Sequence, residues 1–312
     1  MKFESALITG ATGFVGSRLV LRLAESGVKV IALVRKGADA ARLDGISRIR
    51  IIEVASFDLS ELERALQGTT SEVVFNLASY GVREKDRDPE LMLEGNVYLV
   101  WRILRATAAW PLKLFIHTGS CSEYGRPVDH SLLGEDQPLR PISLYGAAKA
   151  ATTLYGTALA YQLGIPFIVL RLFGVFGKGE SAERLVPYLM TRLKDDRPAD
   201  LTLGEQMRDL LYVDDAVDAL VAAAESSDLK SGTVYNICSS RPVRVREIAE
   251  TVADAMQKPR ALLRFGARPY RTEEPMWLVG DNRHFTSATH WQPRTTFLEG
   301  VQRMLCNEVK VC

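Results

Sequence analysis

An α/β fold, a doubly wound parallel sheet followed by a smaller C-terminal domain, is predicted by three observations. Short apolar runs at 6–9, 28–34, 50–54, 73–77, 112–118 and 166–170 alternate with helical patterns that include 90–109 and 144–163. Strands separated by helices imply crossover connections and hence parallel pairing. The first run leads through a glycine-rich turn straight into a helical pattern from Ser17 to Ser26. After Arg171 the rhythm breaks into longer connections around 177–187, 195–206 and 265–282. The expected division is 1–173 for the sheet domain, with 209–239 returning to it, and 174–208 plus 240–312 for the second domain. Runs at 209–213 and 233–238 read as strands that extend the main sheet.

The glycine turn is Gly10-Ala11-Thr12-Gly13-Phe14-Val15-Gly16. Strand, glycine turn and helix in this order let backbone N–H groups and the positive helix end approach a pyrophosphate, with glycine where a Cβ would block the approach. Gly10, Thr12, Gly13, Phe14, Val15 and Gly16 are therefore candidate cofactor residues. The spacing G-x-x-G-x-x-G differs from the G-x-G-x-x-G of the general dinucleotide fingerprint.

Cofactor choice is read at the end of the second run, which closes on Arg35-Lys36 with no carboxylate. An acid there accepts hydrogen bonds from the ribose of NAD, whereas a guanidinium suits the extra phosphate of NADP. Arg35 and Lys36 thus favour NADP, with NAD as the alternative; as solvated loop charges they would favour neither. The fourth run, Val73 to Ala78, has an end, Leu77-Ala78, that would pass beneath the cofactor.

Composition agrees with a globular enzyme. The chain has 312 residues, 47% of them apolar, and 39 basic residues against 38 acidic for a net charge of +1. Such a chain can bury a large core. Near-neutral charge without like-charge blocks gives no reason to expect nucleic acid or a polybasic membrane anchor. Cys121, Cys238, Cys306 and Cys312 are scattered and the chain has four histidines, so reduced thiols and no metal site are expected. Met1 to Ser5 leads directly into the first run, and no apolar run approaches the roughly 18 residues of a membrane span. A cytoplasmic protein that does not engage membranes is the expectation.

Chemistry is carried by Ser120-Cys121-Ser122-Glu123-Tyr124-Gly125 and Tyr145-Gly146-Ala147-Ala148-Lys149. Tyr145 and Lys149 share one face of a helix, and a cation beside a phenol lowers its pKa from about 10 towards working pH. With the glycine turn these motifs, in this order, resemble the short-chain dehydrogenase/reductase superfamily. Further along stand Asn96-Val97, Arg208-Asp209-Leu210-Leu211-Tyr212-Val213-Asp214-Asp215 and Tyr235-Asn236-Ile237. With them the chain resembles, over nearly its whole length, the extended branch that acts on nucleotide sugars as epimerases, dehydratases and ketoreductases. The stretches 204–209, 265–271, 274–276 and 280–282 are similar to abequose- and paratose-synthase-type 4-ketoreductases.

The resemblance implies a Rossmann domain for the cofactor and a C-terminal domain for the substrate. It implies that Ser120 hydrogen-bonds the substrate oxygen, that Tyr145 protonates it during hydride transfer, and that Lys149 holds the ribose and keeps the phenol acidic. Asp58-Leu59 matches the adenine contact. Arg208 and Arg271 match positions that hold a nucleotide diphosphate, which forked guanidinium bonds suit. Ser122 and Tyr80 are candidate substrate residues; Tyr80 and nearby Arg83 either reach the hexose or only pack the loop. A homodimer through the helices at 90–109 and 144–163 is also implied.

Two departures narrow the reaction. Dehydratases carry Asp-Glu after the catalytic Thr, where this chain has Cys121-Ser122, so elimination of water lacks its acid and base. Gly174 stands where many relatives have an Asn that contacts the substrate phosphates. The expected activity is NADPH-dependent reduction of a nucleotide-linked 4-keto-6-deoxyhexose. A nucleotide-hexose 4-epimerase and a cofactor-sensing or scaffold protein without chemistry are the alternatives.

Overall fold

The computed structural model describes residues 1–82, 86–127, 129–272 and 274–306. The chain opens with β1 (Ser5–Thr9), α1 (Phe14–Glu25), β2 (Lys29–Arg35), β3 (Ile49–Val54), α2 (Leu59–Ala65) and β4 (Val73–Asn76). Next come α3 (Pro89–Met92), a π-helical turn (Leu93–Tyr98), α4 (Leu99–Ala106), β5 (Leu114–Ser120), α5 (Leu144–Leu163) and β6 (Phe167–Leu172). The second half holds β7 (Gly174–Phe176), α6 (Leu185–Lys194), β8 (Ala199–Leu201), β9 (Met207–Tyr212), α7 (Val213–Glu225) and β10 (Val234–Ile237). It ends with β11 (Pro242–Arg244), α8 (Val245–Ala255), β12 (Leu263–Phe265), β13 (Trp277–Leu278), α9 (Arg283–Thr289) and α10 (Phe297–Cys306).

Seven parallel strands form the main sheet in the order β10-β6-β5-β4-β1-β2-β3. This is the doubly wound Rossmann arrangement. Its strands read as unbroken apolar runs because both faces are covered. Ala6 and Ile8 face α1 and α7, packing with Leu19, Leu23, Val217 and Leu220. Leu7, between them, faces the opposite side with Ile103, Phe115 and Phe167, as the two-residue period of a strand requires. Strand order reverses between β1 and β4, the switch point at which such sheets open a crevice for ligands.

The sequence places 209–213 and 233–238 together in this sheet, and only the second is there. β9 lies between β11 and β13 in a separate sheet, which β7 also joins. Its run Leu210-Leu211-Tyr212 has strand character, but its partners are distant in sequence, Arg244 and Trp277 both facing Met207. α7 then carries the chain back to the first layer, so β10 can extend the main sheet. A second core is built from Leu189 and Leu193 of α6, Ile248 and Val252 of α8, and Val301 of α10, closed by Tyr212.

The helix expected over 90–109 ends at Ala106 and is interrupted by the π turn. Among the described residues, no helix is long and apolar enough to cross a membrane.

Candidate functional site

The glycine turn forms the floor of the crevice. Gly10 has φ +68°, and a Cβ on it would lie 2.7 Å from the Ala78 nitrogen; a Cβ on Gly16 would lie 2.0 Å from the Gly10 carbonyl. Both glycines are required for turn, strand and helix to approach this closely. Gly13 is exposed and caps α1 without a side-chain hydrogen bond, and the first helical turn holds no acid. Unsatisfied N–H groups and the positive helix end therefore face outward, a cradle that fits a dinucleotide pyrophosphate. Phe14 and Val15 turn the other way and pack against the second core, while Thr12 stays half-buried in the turn. The Leu77 and Ala78 N–H groups donate to the Thr9 carbonyl and hydroxyl, at 3.3 and 3.2 Å, tying β4 to β1.

Arg35 closes β2 and Lys36 follows it, both exposed. Asp58 caps α2 in position but not with its side chain; it accepts from the Ser56 hydroxyl and pairs with Arg102 at 3.5 Å. Leu59 opens that helix, half-buried.

Ser120, Tyr145 and Lys149 come together where β5 ends and α5 begins. The Ser143 hydroxyl caps α5 by accepting from the Gly146 N–H at 3.1 Å, which fixes Tyr145 in the first turn. The Tyr145 phenol is buried near the Ser79 and Ser120 side chains, which oppose the effect of burial on it. Ser79 in turn donates to the Asn96 amide oxygen at 2.8 Å. Asn96 lies in the π turn, and its amide nitrogen donates to the Tyr80 and Met92 carbonyls at 3.0 and 2.8 Å. Such turns are common at functional positions.

The electrostatics differ from the expectation that Lys149 keeps the phenol acidic. Lys149 is buried, and its ammonium donates to the Thr118 carbonyl at 2.8 Å. Burial lowers it to about 8. Tyr145 is raised above its ordinary value by burial, partly opposed by the Ser79 and Ser120 side chains. The phenol is thus held in its protonated form, because desolvation penalises the phenolate.

Beneath this group Glu123 accepts from the Ser120 N–H at 2.8 Å, from Arg171 Nε at 2.9 Å and from the Thr153 hydroxyl at 2.9 Å. Arg171 reaches the Tyr124 hydroxyl at 3.0 Å, and that hydroxyl donates to Asn236 at 2.7 Å. One buried network therefore locks β5, β6, β10 and α5 in mutual register.

The expected substrate residues are less uniform. Ser122 donates its N–H to the Ser120 hydroxyl at 3.1 Å, and Tyr80 is half-buried with its Cβ against Gly95. Arg208 on β9 is paired with Glu274 and also donates to the Met207 carbonyl. Arg271 is exposed in the turn leading to Glu274; Arg83 lies outside the described residues. Cys121 is pushed up to about 11 by burial, opposed by the charges of Arg208 and Arg184. A Cβ on Gly174 would lie 2.5 Å from the Asp209 carbonyl, so the close pairing of β7 with β9 leaves no room for Asn. The sequence assigns no role to Ser79, Asn96 or Glu123. Asn96, a polar residue within an apolar helical pattern, was the available signal.

Among the described residues, no cluster of His, Cys, Asp and Glu is arranged to hold a metal, and Cys121, Cys238 and Cys306 are free. Comparison with known proteins places this geometry. The chain is 29% identical to dTDP-6-deoxy-L-talose 4-dehydrogenase (NAD(P)(+)) of Kitasatospora kifunensis over 95% of its own length and 93% of the relative's. It is 24% identical to CDP-abequose synthase of Salmonella typhimurium over 97% of both chains. The solved UDP-glucose 4-epimerase of Thermotoga maritima superposes with a TM-score of 0.85 at 25% identity, over 96% of this chain and 97% of the other. A family model described as NAD dependent epimerase/dehydratase matches residues 6–238. Both the Rossmann sheet and this match across most of the chain lead to one conclusion: the protein belongs to the NAD dependent epimerase/dehydratase family.

Proposed function

We propose that the protein reduces the 4-keto group of a nucleoside-diphosphate-linked 4-keto-6-deoxyhexose with NADPH, a step of deoxysugar biosynthesis. The observation that carries this reading is the grouping of Tyr145 and Lys149, one turn apart on α5, with Ser120 at the end of β5. When bound, the dinucleotide supplies the hydride. Ser120 and Tyr145 orient the ketone oxygen, and the Tyr145 proton moves to that oxygen as carbon accepts hydride, leaving a hydroxyl. Lys149 holds the ribose, and the glycine cradle from Gly10 to Gly16 takes the pyrophosphate.

Exposed Arg35 and Lys36, standing where the strand-end sequence has no acid, support NADP over NAD. A net reductase exchanges its cofactor at each turnover, which suits that preference. Cys121-Ser122 in place of an acid–base pair argues against dehydration. The dehydrogenase and abequose-synthase relatives support 4-position redox chemistry on a nucleotide sugar. A 4-epimerase is the second reading, favoured by the fold likeness to UDP-glucose 4-epimerase. A homodimer in the cytoplasm completes the proposal.

The test is NADPH consumption against a panel of nucleotide-linked 4-keto-6-deoxyhexoses made in situ by a separate dehydratase, with NADH in parallel. Stoichiometric loss of NADPH, favoured over NADH and reduced about 10²- to 10⁴-fold by Tyr145→Phe, is the expected result. No consumption, with NAD released on denaturation, would replace the reductase by the epimerase. Turnover by neither route would leave the non-enzymatic reading.

A further inference from the structure

We infer that His117, which takes no part in the proposed reaction, is a positioning residue for the cofactor cradle: its Nδ1 holds the Asn76 amide and, through it, the Thr9 hydroxyl and the Ala78 N–H beside Gly10. This rests on the dinucleotide reading of the cradle and adds a buried residue to it. Thr9 of β1, Asn76 of β4 and His117 of β5 stand opposite one another in the parallel register, so they form one row on one face of the sheet. The row continues into apolar residues at both ends, Leu33 beside Thr9 and Val169 beside His117, which share a core with Ile103 of α4 and Ala160 of α5. Thr9, Asn76 and His117 are themselves buried, and polar groups in such a core are costly unless they are hydrogen-bonded.

The bonds along the row run in one direction. The Ala78 N–H donates to the Thr9 hydroxyl at 3.2 Å, and that hydroxyl donates to Asn76 Oδ1 at 2.7 Å. Asn76 Nδ2 is thereby turned to His117 Nδ1, 2.9 Å away. An amide nitrogen only donates, so Nδ1 accepts and the ring proton lies on Nε2. Nε2 is buried with no hydrogen-bond partner, and burial with the nearby Lys149 charge holds the ring neutral, well below the ordinary histidine range. The ring stacks on Phe167 with centroids 6.4 Å apart. A phenylalanine there would make the same contact and leave no buried N–H unpaired, so what histidine adds is the acceptor.

Without that acceptor the Asn76 amide has no reason to keep its oxygen towards Thr9. Rotated, it presents a second donor to the Thr9 hydroxyl, in competition with Ala78. Gly10, the first residue of the cradle, follows Thr9 and lies against the Ala78 nitrogen, so a shift there opens the cradle. At the other end of the row the Thr118 hydroxyl donates to the Asn76 carbonyl at 3.2 Å, and the Thr118 carbonyl accepts the Lys149 ammonium at 2.8 Å. The cradle and Lys149 therefore hang from the same buried row, which is set before the dinucleotide arrives and leaves less ordering to be done on binding.

Fluorescence titration with NADPH and NADH, read beside Tm on the same proteins, tests this without reference to turnover. The dinucleotide that the parent binds more tightly is titrated into two variants. His117→Phe keeps the stacking on Phe167 and removes the acceptor; it is expected to hold Tm within about 2–4 °C of the parent and to weaken binding about 5- to 10-fold. His117→Asn puts its Oδ1 near the place of Nδ1 and leaves a void where the ring was. It is expected to lose more Tm than His117→Phe yet bind within about twofold of the parent. Parental affinity in His117→Phe overturns the inference and leaves the cofactor reading standing, as does affinity that follows Tm, with His117→Asn losing the more of both. A parent protein that binds neither dinucleotide overturns both.

Discussion

Glu123 and Arg171 form an ion pair at 2.9 Å with side chains 0% and 3% exposed, directly under the Ser120 backbone. Arg171 also lies 4.8 Å over the Tyr124 ring. Both carboxylate oxygens are hydrogen-bonded, Oε1 by the Ser120 N–H and Oε2 by Thr153 as well as Arg171, so neither charge is left uncompensated. A buried pair of this kind fixes geometry more than it adds stability, while removing one partner strands the other charge.

Arg171→Met is accordingly expected to cost about 3–5 kcal/mol in urea unfolding, and the double variant Glu123→Gln, Arg171→Met to recover most of that loss. Equal losses in the single and double variants would show that the network contributes through packing alone. The double variant should still turn over slowly, because the Ser120 N–H loses its charged acceptor and β5 its tie to α5.

Lys149 sets function against stability. Its folded value, about 8, lies below the ordinary 10.5. Between those values the unfolded chain binds more protons, so this group makes the protein more stable as pH rises from about 8 to 10.5. Below pH 8 the buried ammonium costs on the order of 3 kcal/mol. Lys149→Met is expected to be no less stable than the parent at pH 7, to lack this part of the rise above pH 8, and to have lost turnover. Parallel Tm curves for the two proteins across pH 7–10.5 would refute the assignment.

Gly174→Asn restores the residue found in many relatives, yet it should harm this chain. The new Cβ would meet the Asp209 carbonyl at 2.5 Å and the Leu210 side chain at 2.9 Å. Spreading β7 from β9 costs about 1–3 kcal/mol, read as a fall in Tm, with no gain in nucleoside diphosphate affinity. A tighter-binding, equally stable Asn variant would show that the two strands part easily.

Legibility in the sequence followed the range of the interactions. Buried parallel strands announce themselves as apolar runs, and the glycine turn, Ser120, Tyr145 and Lys149 sit at fixed spacings within or between adjacent elements. Partners fixed only by the fold were hidden. β9 looked like one more strand of the main sheet because a strand's sequence does not name its neighbours. Ser79 and Asn96 became site residues because Gly95 lets the Tyr80 loop approach the π turn, a contact with no local pattern. The phenol and ammonium values also depend on burial rather than spacing: four residues apart, Tyr145 and Lys149 looked like a coupled pair, whereas Lys149 turns down to Thr118.

The exposed apolar surface predicts the assembly. α5 carries apolar residues all round, a pattern found where a helix is covered on every side, and its outer face leaves Leu154 66%, Tyr155 52% and Tyr161 88% exposed. Leu91, Leu93 and Tyr98, on the neighbouring helical stretch that packs against α5, are 46–49% exposed. Large exposed apolar groups on two adjoining helices mark an interaction site, and a second copy offering the same two helices would bury both sets at once. Light scattering is expected to give twice the chain mass of 34.6 kDa, and Leu154→Asp with Tyr161→Asp to halve it by burying charge at the seam. The paired substitution should leave nucleoside diphosphate affinity unchanged, since neither residue approaches the crevice. A parent protein that is monomeric at micromolar concentration would sink the dimer and leave this face without a partner of its own kind.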